Sequence, residues 1–277
     1  MNASAAALPM EVAEDDCALP LVRRLAAMLD RDPASLRDGD ALPRGWHVSM
    51  FNPPTRQTDL RSDGAASLGV RLPDIGLPRL MLGGRQVRFS GDIPIGARLR
   101  RETTQGEVQV KQGRSGRFAL VPVEHRIVVS GAAEAAVVER QEYVLREAAG
   151  AAAAPAPAPA APPAAADAER TLVADERLLF RYSSITDNPH RIHYDHPYAT
   201  AVEGYPALVV NGSIPAMFLL ELFRVAAGRE PTAFASRNVA PMYCGMPLRL
   251  CARRDGAAWK LWVEDERGAL AFDARAE

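Results

Sequence analysis

The stretch Ser213-Ile214-Pro215-Ala216-Met217-Phe218-Leu219-Leu220-Glu221-Leu222-Phe223-Arg224-Val225-Ala226-Ala227 reads as a helix with almost no polar side. Ser213 is placed to cap its start, Pro215 falls in the first turn where a missing N–H costs nothing, and Gly228 stops it. Only Glu221 and Arg224 interrupt the apolar surface, so other structure must cover the helix nearly all round. It is too short and too charged to span a bilayer. The material that could cover it follows directly, in strand-like segments at Ala233–Val239, Pro247–Arg253, Ala258–Glu264 and Ala269–Ala274.

The earlier part of the chain has a similar outline. Leu21, Val22, Leu25, Met28 and Leu29 make an amphipathic stripe on a helix over Leu19–Asp30. Strands are expected at Gln86–Phe89, Arg98–Thr104, Glu107–Lys111, Arg117–Val129 and Ala136–Leu145. Between the halves, every residue from Ala148 to Ala166 is Ala, Pro or Gly, a composition that forms an extended spacer rather than a core. The expected organisation is an N-terminal unit over 1–147, a linker over 148–168 and a C-terminal unit over 169–277. One helix followed by four or five antiparallel strands, twice over, is an α+β fold with a helix laid on a curled sheet in each unit.

Composition excludes several classes of function. Of 277 residues, 33 are Lys or Arg and 34 are Asp or Glu, so no positive excess exists for nucleic-acid phosphates. Lys111 and Lys260 are the only lysines; the remaining cations are arginines, which suit bidentate carboxylate or phosphate contacts. No uninterrupted apolar run reaches the length of a membrane span, and the acidic N-terminus does not resemble a secretory signal. A cytoplasmic protein is expected. Cys17, Cys244 and Cys251 are odd in number and have no CxxC spacing, which excludes a disulfide framework.

The densest polar cluster is Ser183-Ser184-Ile185-Thr186-Asp187-Asn188-Pro189-His190-Arg191-Ile192-His193-Tyr194-Asp195, followed by His196. Asn188-Pro189 bends the backbone where the polar side chains concentrate. Three readings stand open: a metal site using the three histidines, a polar loop held by capping side chains, and an acid/base site in which an imidazole and a nearby oxygen-bearing side chain share a water. Downstream, Glu203-Gly204-Tyr205-Pro206 leads through Asn211-Gly212-Ser213 into the apolar helix. A glycine at a buried helix start presents free N–H groups and the positive end of the helix dipole, an arrangement suited to a developing oxyanion.

These residues resemble the signature of the R-specific enoyl-CoA hydratase (MaoC-like) family. That signature comprises an acid, Asn-Pro, an essential His, and a Gly opening a long helix. The form His190-Arg191-Ile192-His193-Tyr194-Asp195 with Glu203-Gly204-Tyr205-Pro206 is closer to the two-domain mesaconyl-C4-CoA and itaconyl-CoA hydratases, relatives of fatty-acid-type dehydratases. Pro78-Arg79, Gly83-Gly84-Arg85 and Lys111-Gln112-Gly113-Arg114-Ser115-Gly116 resemble that subgroup's first domain. The resemblance implies a double hot-dog fold, a catalytic C-terminal unit, an N-terminal unit serving as partner wall, and reversible hydration of an α,β-unsaturated acyl-CoA with no metal or redox cofactor. A homodimer is the candidate assembly.

By the same resemblance, His193 moves the proton of water, the Gly212 N–H holds the thioester oxygen, and Asn188 or Asp187 orients the water. Five positions before His193 the family keeps an Asp, whereas this chain has Asn188, with Asp187 one place earlier. Many members have His before the helix glycine where this chain has Asn211. Arg191 is the first candidate to meet a second carboxylate on the acyl group; His190, Tyr194, Asn211, Ser213 and Arg237 complete the candidate binding set. Rival readings are a hot-dog thioesterase using Asp187 or Glu221, and a non-catalytic acyl-CoA-binding subunit.

Overall fold

The computed structural model describes residues 9–65, 72–73, 75–77, 79–113, 116–147 and 165–277. Most of the Ala/Pro spacer, with Pro78, Arg114 and Ser115, lies outside the described residues. The elements in chain order are β1 (Glu11–Asp16), α1 (Leu19–Met28), β2 (Arg79–Phe89), β3 (Arg98–Gln105), β4 (Gln109–Gly113), β5 (Gly116–Val129) and β6 (Val137–Arg146). Then come β7 (Ala168–Val173), α2 (Glu176–Ile185), α3 (Ser213–Ala227), β8 (Ala233–Asn238), β9 (Pro247–Asp255), β10 (Ala258–Glu264) and β11 (Leu270–Ala276).

All strands belong to one antiparallel sheet of order β1-β3-β5-β6-β2-β8-β11-β10-β9-β7, with β4 paired to β5 as a side hairpin. Read outward from the β2–β8 seam, the two sides correspond: β2 to β8, β6 to β11, β5 to β10, β3 to β9 and β1 to β7. This order is the structural form of the doubling seen in the sequence. It also corrects the sequence reading of the helices. The counterpart of α1 is α2, each following an edge strand, and the two pack against each other. The long helix α3 has no counterpart in the N-terminal half among the described residues, where a short 3₁₀ turn at Trp46–Ser49 occurs instead.

β1, β7 and α2 are not foreseen from the sequence. β1 carries little apolar alternation because it is an edge strand whose acids stand opposite arginines: Glu14 pairs in register with Arg100 and Asp16 with Arg98. β2 begins at Arg79 rather than Gln86, because a register shift at Leu82/Gly84 hides its first half from a period-2 reading.

α3 packs against β7, β9, β10 and β11. The inward positions of this half are accordingly apolar: Leu248, Leu250, Ala252, Leu261, Val263, Phe272 and Ala274 are all buried. They join one cluster with Trp46, Leu25, Val87 and Phe89 from the N-terminal half. Trp46 is fully buried and its Nε1 donates to Glu221 Oε1 at 3.1 Å; Arg224 pairs with the same carboxylate at 2.7 Å. The two polar residues of α3 thus anchor the N-terminal half. Among the described residues no helix is long and apolar enough to cross a membrane.

Removing that anchor tests the shared core. Trp46→Ala should destabilise the protein by about 3–5 kcal/mol, seen as a lower denaturant midpoint with an unchanged m-value. A loss below about 1 kcal/mol would separate Trp46 from the joint core.

Candidate active site

The His-rich loop is built by local hydrogen bonds that follow α2. Asp175 caps the helix by accepting from the Leu178 N–H at 2.9 Å. At its end Thr186 donates through Oγ1 to the Tyr182 carbonyl at 2.8 Å, and Asp187 takes a left-handed conformation (φ 46°) that turns the chain. Asn188 Oδ1 accepts from the His190 N–H at 3.2 Å, an Asx turn that carries the chain past Pro189. A 3₁₀ turn over Arg191–His193 follows. The N-terminal half covers this loop: Asp63 O accepts from the Arg191 N–H at 2.8 Å, and Gly64 (φ +80°) lies where any Cβ would come within 2.3 Å of the Pro189 carbonyl.

His193 is held from both sides of its peptide. Ile192 O accepts from the Val209 N–H at 3.0 Å, and the ring Nδ1 lies 2.7 Å from the Val209 carbonyl. A carbonyl can only accept, so Nδ1 carries the proton of the neutral ring and Nε2 keeps its lone pair. The side chain is buried and lines the central cavity. Burial drives its pKa down to about 4; the Val209 bond opposes this weakly and the nearby His190 adds to it. The His190 ring stands edge-on at 5.6 Å, and its pKa is also lowered by burial. A neutral, desolvated imidazole with one free nitrogen is the form a general base needs.

The chain reaches the start of α3 four residues after Val209. Asn211 Oδ1 accepts from the Ser213 N–H at 3.1 Å and Asn211 O accepts from the Ile214 N–H at 2.9 Å. Asn211 therefore supplies the cap, and Ser213 is the first helical residue rather than the N-cap expected from the sequence. The Gly212 N–H has no acceptor among the described residues. A Cβ on Gly212 would stand 2.8 Å from Asn238 Oδ1, so a side chain there would have to displace the Asn238 amide. Asn238 in turn donates through Nδ2 to the Leu82 carbonyl at 3.1 Å, tying the helix entrance to the irregular part of β2.

These residues meet at a cavity of about 850 Å³ between the halves, within the size range of small-molecule sites. His193, His190, Asn188, Asp187, Asn211 and Ser213 line one side. Asp187 is largely exposed while Asn188 is half-buried. Three expected binding residues lie elsewhere. Arg191 is paired with Asp195 through Nε at 2.9 Å and Nη2 at 2.8 Å, and its guanidinium stacks 4.0 Å above the Tyr198 ring. Tyr194 is exposed. Arg237 is exposed, pairs with Asp273 at 3.4 Å and lines a separate surface cavity. His190, His193 and His196 form no metal-binding group among the described residues.

The opposite wall is a row of polar residues on inward strand positions, which sequence reasoning missed. Thr103, His125 and Glu139 stand in cross-strand register on β3, β5 and β6, and Gln141 is opposite Arg85 on β2. Glu139 accepts from Gln141 Nε2 at 2.7 Å and bonds His47 Nε2 at 2.9 Å; Gln141 Oε1 accepts from Tyr143 at 2.6 Å. Burial would raise the Glu139 carboxyl, but Arg85 and the His47 bond outweigh it and hold the group below the usual carboxylate range. His125 is driven to about 4, mainly by burial and then by Arg101. The available signal was phase: in Val137-Val138-Glu139-Arg140-Gln141-Glu142-Tyr143, the inward alternate positions include a Glu and a Gln.

The lowered histidines give a signed pH dependence. An unfolded histidine binds its proton near pH 6.5 and these bind near 4, so between those values the unfolded chain holds more protons. Stability should therefore fall as pH drops through that window. His193→Asn, whose amide can keep a donor near the Val209 carbonyl, should make the fall shallower. An unchanged slope in urea titrations would mean that the ring is hydrated in the folded state.

Comparisons with known proteins identify the family and the fold. Residues 45–244 match the family model for hydroxyacyl-thioester dehydratase type 2. The chain is 40% identical over 267 residues to a mesaconyl-C(4)-CoA hydratase of Chloroflexus aurantiacus, covering 96% of this chain and 94% of that relative. Among solved structures, a MaoC-like dehydratase from Phytophthora capsici superposes with a TM-score of 0.73 at 13% identity, covering 97% of this chain and 94% of the other. A Mycobacterium tuberculosis protein described as having a double hot-dog fold gives 0.61 at 14% identity, with 97% and 95% covered. The fold is thus an α+β double hot-dog. The family match spans most of the chain and the full-length relative is well above chance similarity, so this protein belongs to the hydroxyacyl-thioester dehydratase type 2 family.

Proposed function

We propose that this protein adds water reversibly across the double bond of a short α,β-unsaturated acyl-CoA, with a dicarboxylic acyl group such as mesaconyl as the substrate. The observation that carries the reading is a cavity-lining, neutral His193 together with the Gly212 N–H, which has no acceptor among the described residues and lies between the cavity-lining Asn211 and Ser213, three residues after the Val209 that holds the imidazole. The relative from Chloroflexus, named for hydration of mesaconyl-C(4)-CoA, supports the choice of substrate.

In this mechanism the thioester oxygen accepts from Gly212, and the positive end of α3 stabilises the enolate that forms as water attacks Cβ. His193 Nε2 takes one proton from the water while the oxygen bonds to Cβ. The imidazolium is disfavoured by its dry surroundings and returns that proton to Cα on the same face, so addition is syn and the ring ends neutral. Asn188 orients the water; the left-handed turn at Asp187 gives that carboxylate an exposed place at the cavity edge. Dehydration of a 3-hydroxyacyl thioester is the same path reversed. A thioesterase reading loses Glu221, which is occupied by Trp46, Arg224 and Arg31.

Loss of conjugated-enoyl absorbance from mesaconyl-C4-CoA without release of free CoA is the expected assay result; release of thiol would indicate a thioesterase. His193→Asn should lower kcat by about 10²–10⁴-fold. Of Asn188→Ala and Asp187→Ala, the first should carry the larger loss. Wild-type rates in the His193 variant would remove the imidazole from the chemistry.

A further inference from the structure

We propose that Arg85, on β2 of the N-terminal half, binds the distal carboxylate of the acyl group and so sets the preference for dicarboxylic substrates. The inference rests on the hydratase reading and adds the residue that selects its substrate.

Three observations carry it. First, Arg85 lines the central cavity and its side chain is only 10% exposed, although it occupies the same face of β2 as the buried Val87 and Phe89. Taking a guanidinium out of water is costly unless its N–H groups are satisfied by an anion. Second, the anion beside it acts on it through charge alone and makes no hydrogen bond to it. Glu139 stands 3.6 Å from Nη1, beyond hydrogen-bond range, and its two oxygens are already taken by His47 at 2.9 Å and Gln141 at 2.7 Å. The one other polar contact among the described residues is a long bond from Nη2 to Ser213 Oγ at 3.3 Å. Most of the five donors of the fork therefore remain available to a ligand.

Third, the location matches the length of the substrate. Ser213 directly follows Gly212, whose N–H is assigned to the thioester oxygen. In a butenedioyl thioester the second carboxylate carbon lies only about 4 Å from the thioester carbon. A cation reaching Ser213 from the opposite wall is thus within one carboxylate of the oxyanion position, and a planar fork is suited to gripping that group bidentately. Arg101 and the neutral His125 lie farther along the same wall. Arg191, the arginine nearest His193 in sequence, lies off the cavity wall and is paired with Asp195.

The test measures binding of unreactive thioesters, so it does not require turnover. Succinyl-CoA and butyryl-CoA differ by one carboxylate for one methyl and neither can be hydrated. By calorimetry the wild type should bind succinyl-CoA about 10- to 100-fold more tightly, the range expected for a charged hydrogen-bonded contact. Arg85→Met should reduce that preference to within about threefold while leaving butyryl-CoA affinity nearly unchanged. Arg85→Lys, which keeps the charge without the fork, should retain an intermediate preference and provides a folded comparison if the Met variant does not fold. A wild-type-like preference in either variant would overturn the assignment. So would equal loss of both ligands, which would place Arg85 on the shared thioester or CoA. If succinyl-CoA selectivity depends on Arg85 but no enoyl-CoA is hydrated, the hydratase reading fails while this one stands.

Discussion

The antiparallel pairing of β2 with β8 is the constraint on which the rest depends. It joins two curled half-sheets edge to edge, in register from Gly84 opposite Arg237 to Arg88 opposite Ala233. The inner face of one half is thereby turned toward the other. Because, among the described residues, only the C-terminal half carries a long helix, the joined inner faces enclose both a packed core around α3 and a space where a second such helix would lie. The cavity is a consequence of that asymmetry. The same seam fixes its chemistry: Asn238, at the end of β8, fills the place of a Gly212 side chain and holds the Leu82 carbonyl of β2. Strand pairing and helix entrance are thus one mechanical unit, and the proposed oxyanion donor sits within it.

The two inner faces differ in what they must cover. In the C-terminal half, alternation is satisfied by Leu, Val, Phe and Ala against α3, each buried chain contributing on the order of 1.5–3 kcal/mol. In the N-terminal half the same phase carries Arg85, Arg101, Thr103, His125, Glu139 and Gln141. A row of linked polar groups at the centre of a sheet is seldom the more stable choice, since well-packed apolar residues of similar size commonly do as well or better. Its members are mostly satisfied by one another, with Glu139 at the hub, which limits the cost. What the row provides is a rigid polar surface facing the histidine loop.

This division also marks how far the sequence could be read. α3, the later strands and the doubling are legible because each depends on residues close together in the chain: a helical apolar run and period-2 strands. β1, β7 and α2 are not, because edge strands draw their stability from charges supplied by a partner strand, as Arg98 and Arg100 supply β1. Proximity in sequence also misdirected the choice of arginine. Arg191 lies two residues from His193, but Asp195 is four residues beyond it and captures its guanidinium. Arg85 arrives from the other half through strand pairing, and its one local sign was a cation in the inward phase of β2.

On the proposed mechanism, the placement of charge around the cavity follows from two tasks. A base that works as neutral imidazole needs dry surroundings with no net charge close by, and on its own loop the nearest guanidinium is neutralised by Asp195 and shielded by Tyr198. An acyl group with a free carboxylate needs a cation, and a cation beside the base would compete with it for the same water. Putting the cation on the opposite wall, on a rigid strand rather than the loop, separates the two requirements in space. It also gives orientation: a substrate anchored at Gly212 by its thioester oxygen and at Arg85 by its carboxylate has its double bond stretched between them, and only one face of that bond can turn toward His193. The lack of a second long helix among the described residues of the N-terminal half is then more than a gap left by duplication, because it leaves open the sheet face that carries the proposed second anchor.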